Sequence, residues 1–281
     1  MKILICVNDL ISDEPGLFLG KLIAQQFKTE ITLLHVLPKK KVEGDRDQGE
    51  ELLQKANKII DIYPVNRKVR RDDVVNRILK EAHQGDYDLV IMTVSYIGEH
   101  AQSPSIHRSL LKQLPCCMLV VKNPRADIRR MLLCTGGLQM AEPLIEVGAI
   151  FAVALDLEVT LFHVAANVPS MYTGLKTIEE TLTELLKTDT PVSRHLRQGA
   201  AILAEHNVDA EIKLRHGSAV YEIVREIDLE DYDMVVVGAS GADTKFKEWF
   251  YGNLTQEIVD AVGIPVLVVN QKRVAQAKFN N

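Results

Sequence analysis

A glycine-containing loop near the end of the chain has the residue types that could do chemistry. It follows the apolar run Met234 to Val237 and opens with Gly238, Ala239, Ser240 and Gly241. A polar segment then leads to Gly252, Asn253 and Leu254, where a helical pattern begins. Glycine between a strand and a helix lets backbone N–H groups approach a phosphate closely, because glycine has no Cβ. This pattern predicts a phosphate-cradling loop.

The same loop offers little for catalysis. Ser240 stands between glycines, as a nucleophile can, but the sequence places no histidine or acid partner beside it. No set of metal ligands and no Walker lysine motif is visible. His35 and His163 recur in two similar strands with apolar neighbours, which predicts core or near-core histidines. We therefore expect binding without efficient turnover.

Composition limits the classes of protein that remain. The 281 residues are 47% apolar and 25% charged, and the formal net charge is -5. These values predict well-filled cores and give no reason to expect nucleic acid as a partner. No stretch predicts a secretory leader or a membrane span, so we expect a soluble, cytoplasmic protein without a membrane partner. The four cysteines lie in or beside apolar runs and are expected to be buried, reduced thiols.

An internal repeat divides the chain into two copies. The strand Glu30 to Val36 matches Glu158 to Val164, 128 positions later, at five of seven residues. The run Asp86 to Val90 matches Asp231 to Val235 at an offset of 145. Because the order is preserved and the offset only grows, one unit occurs twice. The boundaries predicted are 1–123 for the first domain and 128–271 for the second, followed by a polar tail at 272–281.

Strands alternate with amphipathic helices in both copies. The predicted strands are 3–7, 31–36, 66–70, 89–92 and 117–121, then 131–135, 158–164, 210–214, 234–237 and 266–269. The helices expected between them include one beginning at Asp13 and one interrupted by Pro191. Continuous apolar strands of this kind are typical of a parallel sheet covered on both faces. The sequence therefore predicts an α/β protein made of two doubly wound, five-stranded domains, with ligands at the carboxyl ends of the strands.

This pattern resembles a tandem universal stress protein over about residues 1–122 and 128–270. The marks are the D-Y-D-x-V-V-V-G-x-x-G run, the later P-V-L-V-V strand, and the T-L-L-H-V type of strand in each copy. The resemblance implies a Rossmann-like fold of the adenine-nucleotide α-hydrolase type. It also implies a stress-response protein that binds ATP, with or without Mg2+, in a regulatory role and with at most weak hydrolysis.

Nucleotide-binding members of that family carry G-x2-G-x9-G-[Ser/Thr]. Here ten residues separate Gly241 from Gly252, and Asn253 stands where Ser or Thr is usual. The family also has an Asp at the end of its first strand, where this chain has Gly136 after Thr135, and contacts adenine at the second strand's end, here Val164. The resemblance thus implies a nucleotide site built from Thr135, Gly136, Val164, Gly238, Ala239, Ser240, Gly241, Gly252, Asn253 and Leu254.

Copy one departs further from the motif. Thr93, Tyr96 and Pro104 stand where copy two has its three glycines, and Asn8 replaces the strand-one Asp. We interpret copy one as a half that does not bind this ligand, or binds differently. Packing of the two copies on each other, through their fifth strands, is expected, and a homodimer is open. The alternative functions are a protein-interaction module without nucleotide and a binder of another small ligand.

Overall fold

The computed structural model describes residues 1–62, 64–94, 104–125, 127–136, 141–165, 182–239 and 248–270. The chain divides into two compact units. Unit 1 comprises residues 1–126 and 263–281, and unit 2 comprises residues 127–262. Both are α/β, as the sequence predicts, and each predicted strand is present within two residues of its expected bounds.

Unit 1 contains a mostly parallel sheet. Its elements are β1 (Lys2–Cys6), α1 (Leu10–Phe27), β2 (Glu30–Leu37), α2 (Asp45–Ile60), β3 (Val65–Arg71), α3 (Val74–Gly85), β4 (Leu89–Thr93), α4 (Pro104–Gln113), β5 (Cys117–Val121) and β10 (Val266–Val269). The strand order is β3-β2-β1-β4-β5-β10. The last strand of the sequence thus belongs to the compact unit formed by the first half of the chain.

The pairing of β10 with β5 is antiparallel, with Leu267 opposite Leu119. All the other strand pairs recorded in unit 1 are parallel. Every residue of β5 and β10 is buried, so this pairing covers an apolar edge that would otherwise be open to association. The fifth strands of the two copies therefore meet, as their apolar sequences suggest.

Unit 2 repeats the same alternation. Its elements are β6 (Arg130–Thr135), α5 (Glu142–Leu155), β7 (Glu158–Ala165), α6 (Leu182–Lys187), α7 (Pro191–Glu205), β8 (Ala210–His216), α8 (Ala219–Leu229), β9 (Met234–Gly238) and α9 (Glu248–Ala261). The strand order is β9-β6-β7-β8, and the recorded pairs are parallel. Pro191 begins α7 and separates it from α6, as predicted, because proline is tolerated at the first position of a helix.

The first helix begins earlier than the sequence predicts. Asp13 was expected to start it, but α1 starts at Leu10, and the Asp9 side chain caps it by accepting a hydrogen bond from Ser12 N at 2.8 Å. The added turn carries Asp13 into the interior, where only 1% of the residue is exposed. A charged residue on a buried helix face needs polar partners close to it.

A buried Lys–Glu–Tyr triad recurs in both units and explains the repeated D-Y-D sequence. In unit 2, Lys213 Nζ donates to Glu226 Oε1 at 2.8 Å, and the Tyr232 hydroxyl lies 3.4 Å from the same oxygen. In unit 1 the members, each 145 positions earlier, are Lys68, Glu81 and Tyr87. The triads tie the third strand, the following helix and the start of the fourth strand of each copy together.

The second aspartate of each D-Y-D holds the start of the first strand. Asp233 Oδ2 accepts from the backbone N–H groups of Arg129 and Arg130 at 2.9 and 3.0 Å. Asp88 Oδ2 accepts from Lys2 N at 2.8 Å. These contacts lie at the amino ends of the central strands, so the motif is structural and distant along the strands from the predicted ligand edge.

The sequence also predicted reduced cysteines and no membrane span. All four cysteines lie in described segments, and no disulfide joins any of them. In the part of the chain that the structure describes, no helix is both long and apolar enough to cross a bilayer.

Candidate functional site

The candidate site is the carboxyl edge of the sheet in unit 2. From β6 the chain passes to β7 on one side, while β9 lies on the other side of β6. Such a change of direction opens a crevice beyond the strand ends, which is where open α/β sheets bind ligands. The β6–β9 register pairs Leu133 with Val236, and two more residues along each strand reach Thr135 and Gly238. The predicted site residues of the first and fourth strands are therefore neighbours.

Gly136, directly after β6, is exposed at this edge. A Cβ built on it would meet no atom of the described residues within 4 Å. Among those residues, nothing blocks a larger side chain or the close approach of a ligand. Because φ at Gly136 is not in the left-handed region, its backbone does not require glycine.

The recurring histidines join the first two strands of each copy at this edge. His163 Nδ1 donates to the carbonyl of Thr135 at 3.0 Å, and Thr135 Oγ1 donates to the carbonyl of Phe162 at 3.3 Å. In unit 1, His35 Nδ1 makes the equivalent bond to the carbonyl of Val7 at 2.8 Å. The prediction of satisfied core or near-core histidines is confirmed. Their role is to fix the ends of the strands on which Thr135 and Val164 lie.

A second histidine lies beside His163 and was not singled out by the sequence pattern. The His195 ring, on α7, has its centroid 5.1 Å from that of His163. Only 7% of His195 is exposed, and its Nε2 has no hydrogen-bond partner within the described residues. Burial lowers the pKa of both histidines, and the neighbouring His216 lowers that of His163 further. Both rings are therefore neutral at pH 7.

The end of β9 is fixed by the following helix. Thr255, on α9, donates its hydroxyl to the carbonyl of Gly238 at 2.8 Å. Ala239 follows Gly238 at intermediate exposure. Ser240 and Gly241 lie outside the described residues. Because this hydrogen bond comes from α9, the orientation of the end of β9 is fixed without a side chain from the loop.

Helix α9 begins at Glu248, earlier than the polar loop predicted by the sequence would allow. Gly252, Asn253 and Leu254 therefore lie inside its second turn. Backbone N–H groups at those positions are directed along the helix to carbonyls four residues earlier. The N–H groups left without such partners belong to the first turn, at 248–251. Any anion recognised by this helix would meet that turn.

The chemistry available at the edge is that of backbone donors and neutral polar side chains. Within the described ranges, no group of three or more His, Cys, Asp or Glu side chains could hold a metal ion. The titratable pair nearest the edge, His163 and His195, is buried and neutral. The arrangement fits recognition of a polar, anionic ligand better than nucleophilic attack.

Comparisons with known proteins agree with this fold. A model of the universal stress protein family matches residues 127–270. No curated protein matches the sequence significantly.

Three solved structures are similar to this chain over nearly all of its length. A functionally unknown protein from Pseudomonas aeruginosa PAO1 has 18% identity and a TM-score of 0.71, covering 98% of this chain and 94% of that chain. A putative universal stress protein from Pseudomonas aeruginosa UCBPP-PA14 has 17% identity and a TM-score of 0.70, covering 98% and 95%. A universal stress protein from Archaeoglobus fulgidus DSM 4304 has 13% identity and a TM-score of 0.64, covering 95% and 96%. At these identities the likeness is one of fold.

Proposed function

Because the chain belongs to the universal stress protein family, we propose that unit 2 binds an adenine nucleotide, ATP, at its carboxyl edge. In this proposal the first half of the chain is a second domain of the same family, since it repeats the same order of strands and helices. The domain limits we propose are 1–123 and 128–271, with a tail at 272–281. The protein acts in a cytoplasmic stress response, and the nucleotide has a regulatory role.

One observation carries the proposal: a glycine lies at, or directly after, the carboxyl end of each of the two strands that flank the switch point of unit 2. Gly136 follows β6 and Gly238 ends β9. Backbone N–H groups at such ends can face a phosphate without interference from a side chain. Thr135, Gly136 and Val164 would contact the nucleoside, as the ends of the first two strands do in the family.

The phosphates would lie against the end of β9 and the start of α9. Gly238, Ala239, Ser240 and Gly241 would supply loop N–H groups, and Gly252, Asn253 and Leu254 follow in the helix. We assign phosphate contact in α9 to its first turn, at 248–251, because that turn has unsatisfied N–H groups and the positive end of the helix dipole. A magnesium ion would come with the phosphates themselves, since the described residues offer no cluster of ligands for it.

Thermal stability measured with and without Mg-ATP tests the proposal. Nucleotide at 100 times its dissociation constant should stabilise the protein by about 2.7 kcal/mol. Gly238→Val should abolish this shift, because its side chain would occupy the space that the phosphates need. Gly263→Ala is a control elsewhere in the chain, since a Cβ there would meet no atom of the described residues within 4 Å. Absence of any shift with millimolar Mg-ATP in the wild type would rule the proposal out, and a shift seen only with a different small molecule would favour another ligand.

A gain of affinity is expected for Gly136→Asp. The family's Asp at this position contacts the nucleoside, and no described residue lies within 4 Å of a Cβ at position 136 to block the larger side chain. One added charge-assisted hydrogen bond should tighten binding by about tenfold or more. Isothermal titration with ATP measures the change, and Gly136→Leu serves as the control for bulk. Equal affinities for the Asp variant and the wild type would show that the nucleoside does not lie against β6.

A further inference from the structure

The added turn of α1 has a specific contact that the sequence did not predict. Asp13 Oδ2 accepts hydrogen bonds from the backbone N–H groups of Asn8 and Asp9, at 2.5 and 3.0 Å. These two N–H groups lie just beyond β1, after Val7, at the carboxyl edge of unit 1. They are the groups that a ligand at this edge would meet, and the chain's own carboxylate already binds them.

The corresponding position in unit 2 lacks that carboxylate. The pair Glu14-Pro15 recurs as Glu142-Pro143, 128 positions later, so Asp13 corresponds to Ala141. Ala141 precedes α5 and makes no side-chain capping hydrogen bond. By the same offset, Asn8 corresponds to Gly136. Unit 2 therefore has the exposed Gly136 in place of Asn8, and it has Ala141 in place of Asp13. In unit 1 the buried carboxylate of Asp13 binds the N–H group of Asn8.

Packing closes the same edge of unit 1 further. Thr93, the last residue of β4, lies against Gly16 of α1 so closely that a Cβ on Gly16 would be 2.3 Å from Thr93 Oγ1. Thr93 corresponds to Gly238 by the offset of 145. Asp13 Oδ1 and Thr93 Oγ1 are both buried, and neither has a hydrogen-bond partner within the described residues. Asp13 therefore binds the lip through only one of its two oxygens.

We propose that Asp13 is an internal anion: its carboxylate binds, at the edge of unit 1, the N–H groups that an anionic ligand would otherwise meet, and residue 13 or 141 sets whether each copy is closed or open. The part of this inference that concerns unit 2 rests on the nucleotide site proposed above. The part that concerns unit 1 does not, since it follows from the contacts of Asp13 alone. Copy one is closed from within, rather than merely lacking a glycine motif.

Removal of the carboxylate tests the unit 1 part. In Asp13→Ala, inorganic phosphate should bind at the vacated position and shift the backbone amide resonances of Asn8 and Asp9. Phosphate should bind this variant at least about tenfold more tightly than the wild type, as expected for one recovered charge-assisted hydrogen bond. Asp13→Asn is the matched control, because its carbonyl oxygen still accepts from the two N–H groups, and it should not respond to phosphate.

Chloride at the same ionic strength separates anion binding from general screening of charge. If Asp13→Ala does not fold, Asp13→Ser leaves a similar gap with a small hydroxyl and is measured in the same way. Unchanged Asn8 and Asp9 resonances in a folded variant titrated with phosphate would overturn the proposal. So would an equal response of the wild type, since its edge should already be filled.

The reciprocal change tests the unit 2 part. Ala141→Asp should weaken ATP binding by about tenfold or more, because the new carboxylate would occupy the N–H group of Gly136, where the nucleoside is proposed to lie. Ala141→Val adds comparable bulk without charge and should have a much smaller effect. Equal losses in both variants would contradict the inference. If the wild type binds no ATP, the proposed function fails, while the phosphate titration of the Asp13 variants still decides the role of Asp13.

Discussion

Glu226→Gln is expected to lower the free energy of unfolding of unit 2 by about 3 kcal/mol, which is the largest effect of any single substitution considered. Only 1% of Glu226 is exposed, and its carboxylate accepts from Lys213 at 2.8 Å and from Arg215 at 3.1 Å. Burial alone would raise the pKa of Glu226, but the hydrogen bonds from Lys213 and Arg215 offset it and hold the pKa below its usual value. Glutamine removes the charge and leaves two cations facing a neutral amide.

The chain supplies an intrinsic fluorescence probe within the residue range of unit 2. Its single tryptophan, Trp249, lies on α9, within the residue range of unit 2. Urea unfolding followed by tryptophan fluorescence should therefore show a lower midpoint for Glu226→Gln. Glu230→Gln is the control: this residue also contacts Lys213 and Arg130, but it is exposed, so its ion pairs are screened by solvent and contribute little.

The repeat provides a second, internal comparison. Glu81→Gln in unit 1 should cost less than Glu226→Gln. Among the described residues, Glu81 accepts from one cation, Lys68, and from the Tyr87 hydroxyl, while Arg70, the counterpart of Arg215, donates instead to the carbonyl of Val69. A double variant in unit 2, Lys213→Met with Glu226→Leu, should recover most of the lost stability, since it removes the buried charges together. A Glu226→Gln protein with an unchanged urea midpoint would show that the triad contributes nothing net.

Local sequence patterns predicted the strands, the break at Pro191 and the repeat, because each depends on neighbouring residues. The triads could not be predicted in the same way. Lys68, Glu81 and Tyr87 lie on three different elements, and each residue alone has the sequence context of a surface charge or a turn. The recurrence of all three at one offset of 145 was the available signal. Of these three residues, only the tyrosine was conspicuous, because it lies within the short repeated D-Y-D run.

The strand ends around the candidate site were predicted from the sequence, but the starts of α1 and α9 were not, for a related reason. Thr135 and Gly238 follow from strand order alone. The start of α9 at Glu248 and the inward turn of Asp13 depend on helix capping and packing, which the positions of Gly252 and Pro15 do not determine. The pairing of β10 with β5 is antiparallel, and the direction of a strand cannot be read from an apolar run that is buried on both faces.

Acidification from pH 7 to pH 5 is expected to change the stability of the two units in opposite directions. In unit 1, burial raises the pKa of Asp13 to about 6, and the nearby Asp9 carboxylate adds to the rise, while the hydrogen bonds from the N–H groups of Asn8 and Asp9 lower it in part. The unfolded pKa is about 3.9. Between these values the folded state binds the extra proton, so the stability of unit 1 is greatest below the unfolded pKa and is lost as pH rises through about 6.

The histidines of unit 2 change its stability with pH in the opposite direction. Burial lowers the pKa of His163 and His195 below 6.5, and each has another histidine as its nearest titratable neighbour. The unfolded state therefore binds protons first as pH falls. Their contribution to the stability of unit 2 is present above pH 6.5 and is lost as pH falls below it. Unit 2 should weaken over the interval in which unit 1 gains about 1 kcal/mol from Asp13.

Amide hydrogen exchange resolves the two effects, because protection in β1 and β4 reports on unit 1 and protection in β6 and β7 on unit 2. From pH 7 to pH 5, after correction for intrinsic exchange, protection should rise in the first pair and fall in the second. Asp13→Asn should remove the rise in protection, because asparagine has no carboxylate that can take up a proton. His195→Gln should reduce the fall in protection. A parallel loss of protection in both units, unchanged by Asp13→Asn, would mean that Asp13 is not protonated in this interval and that the carboxylate remains charged in its buried position.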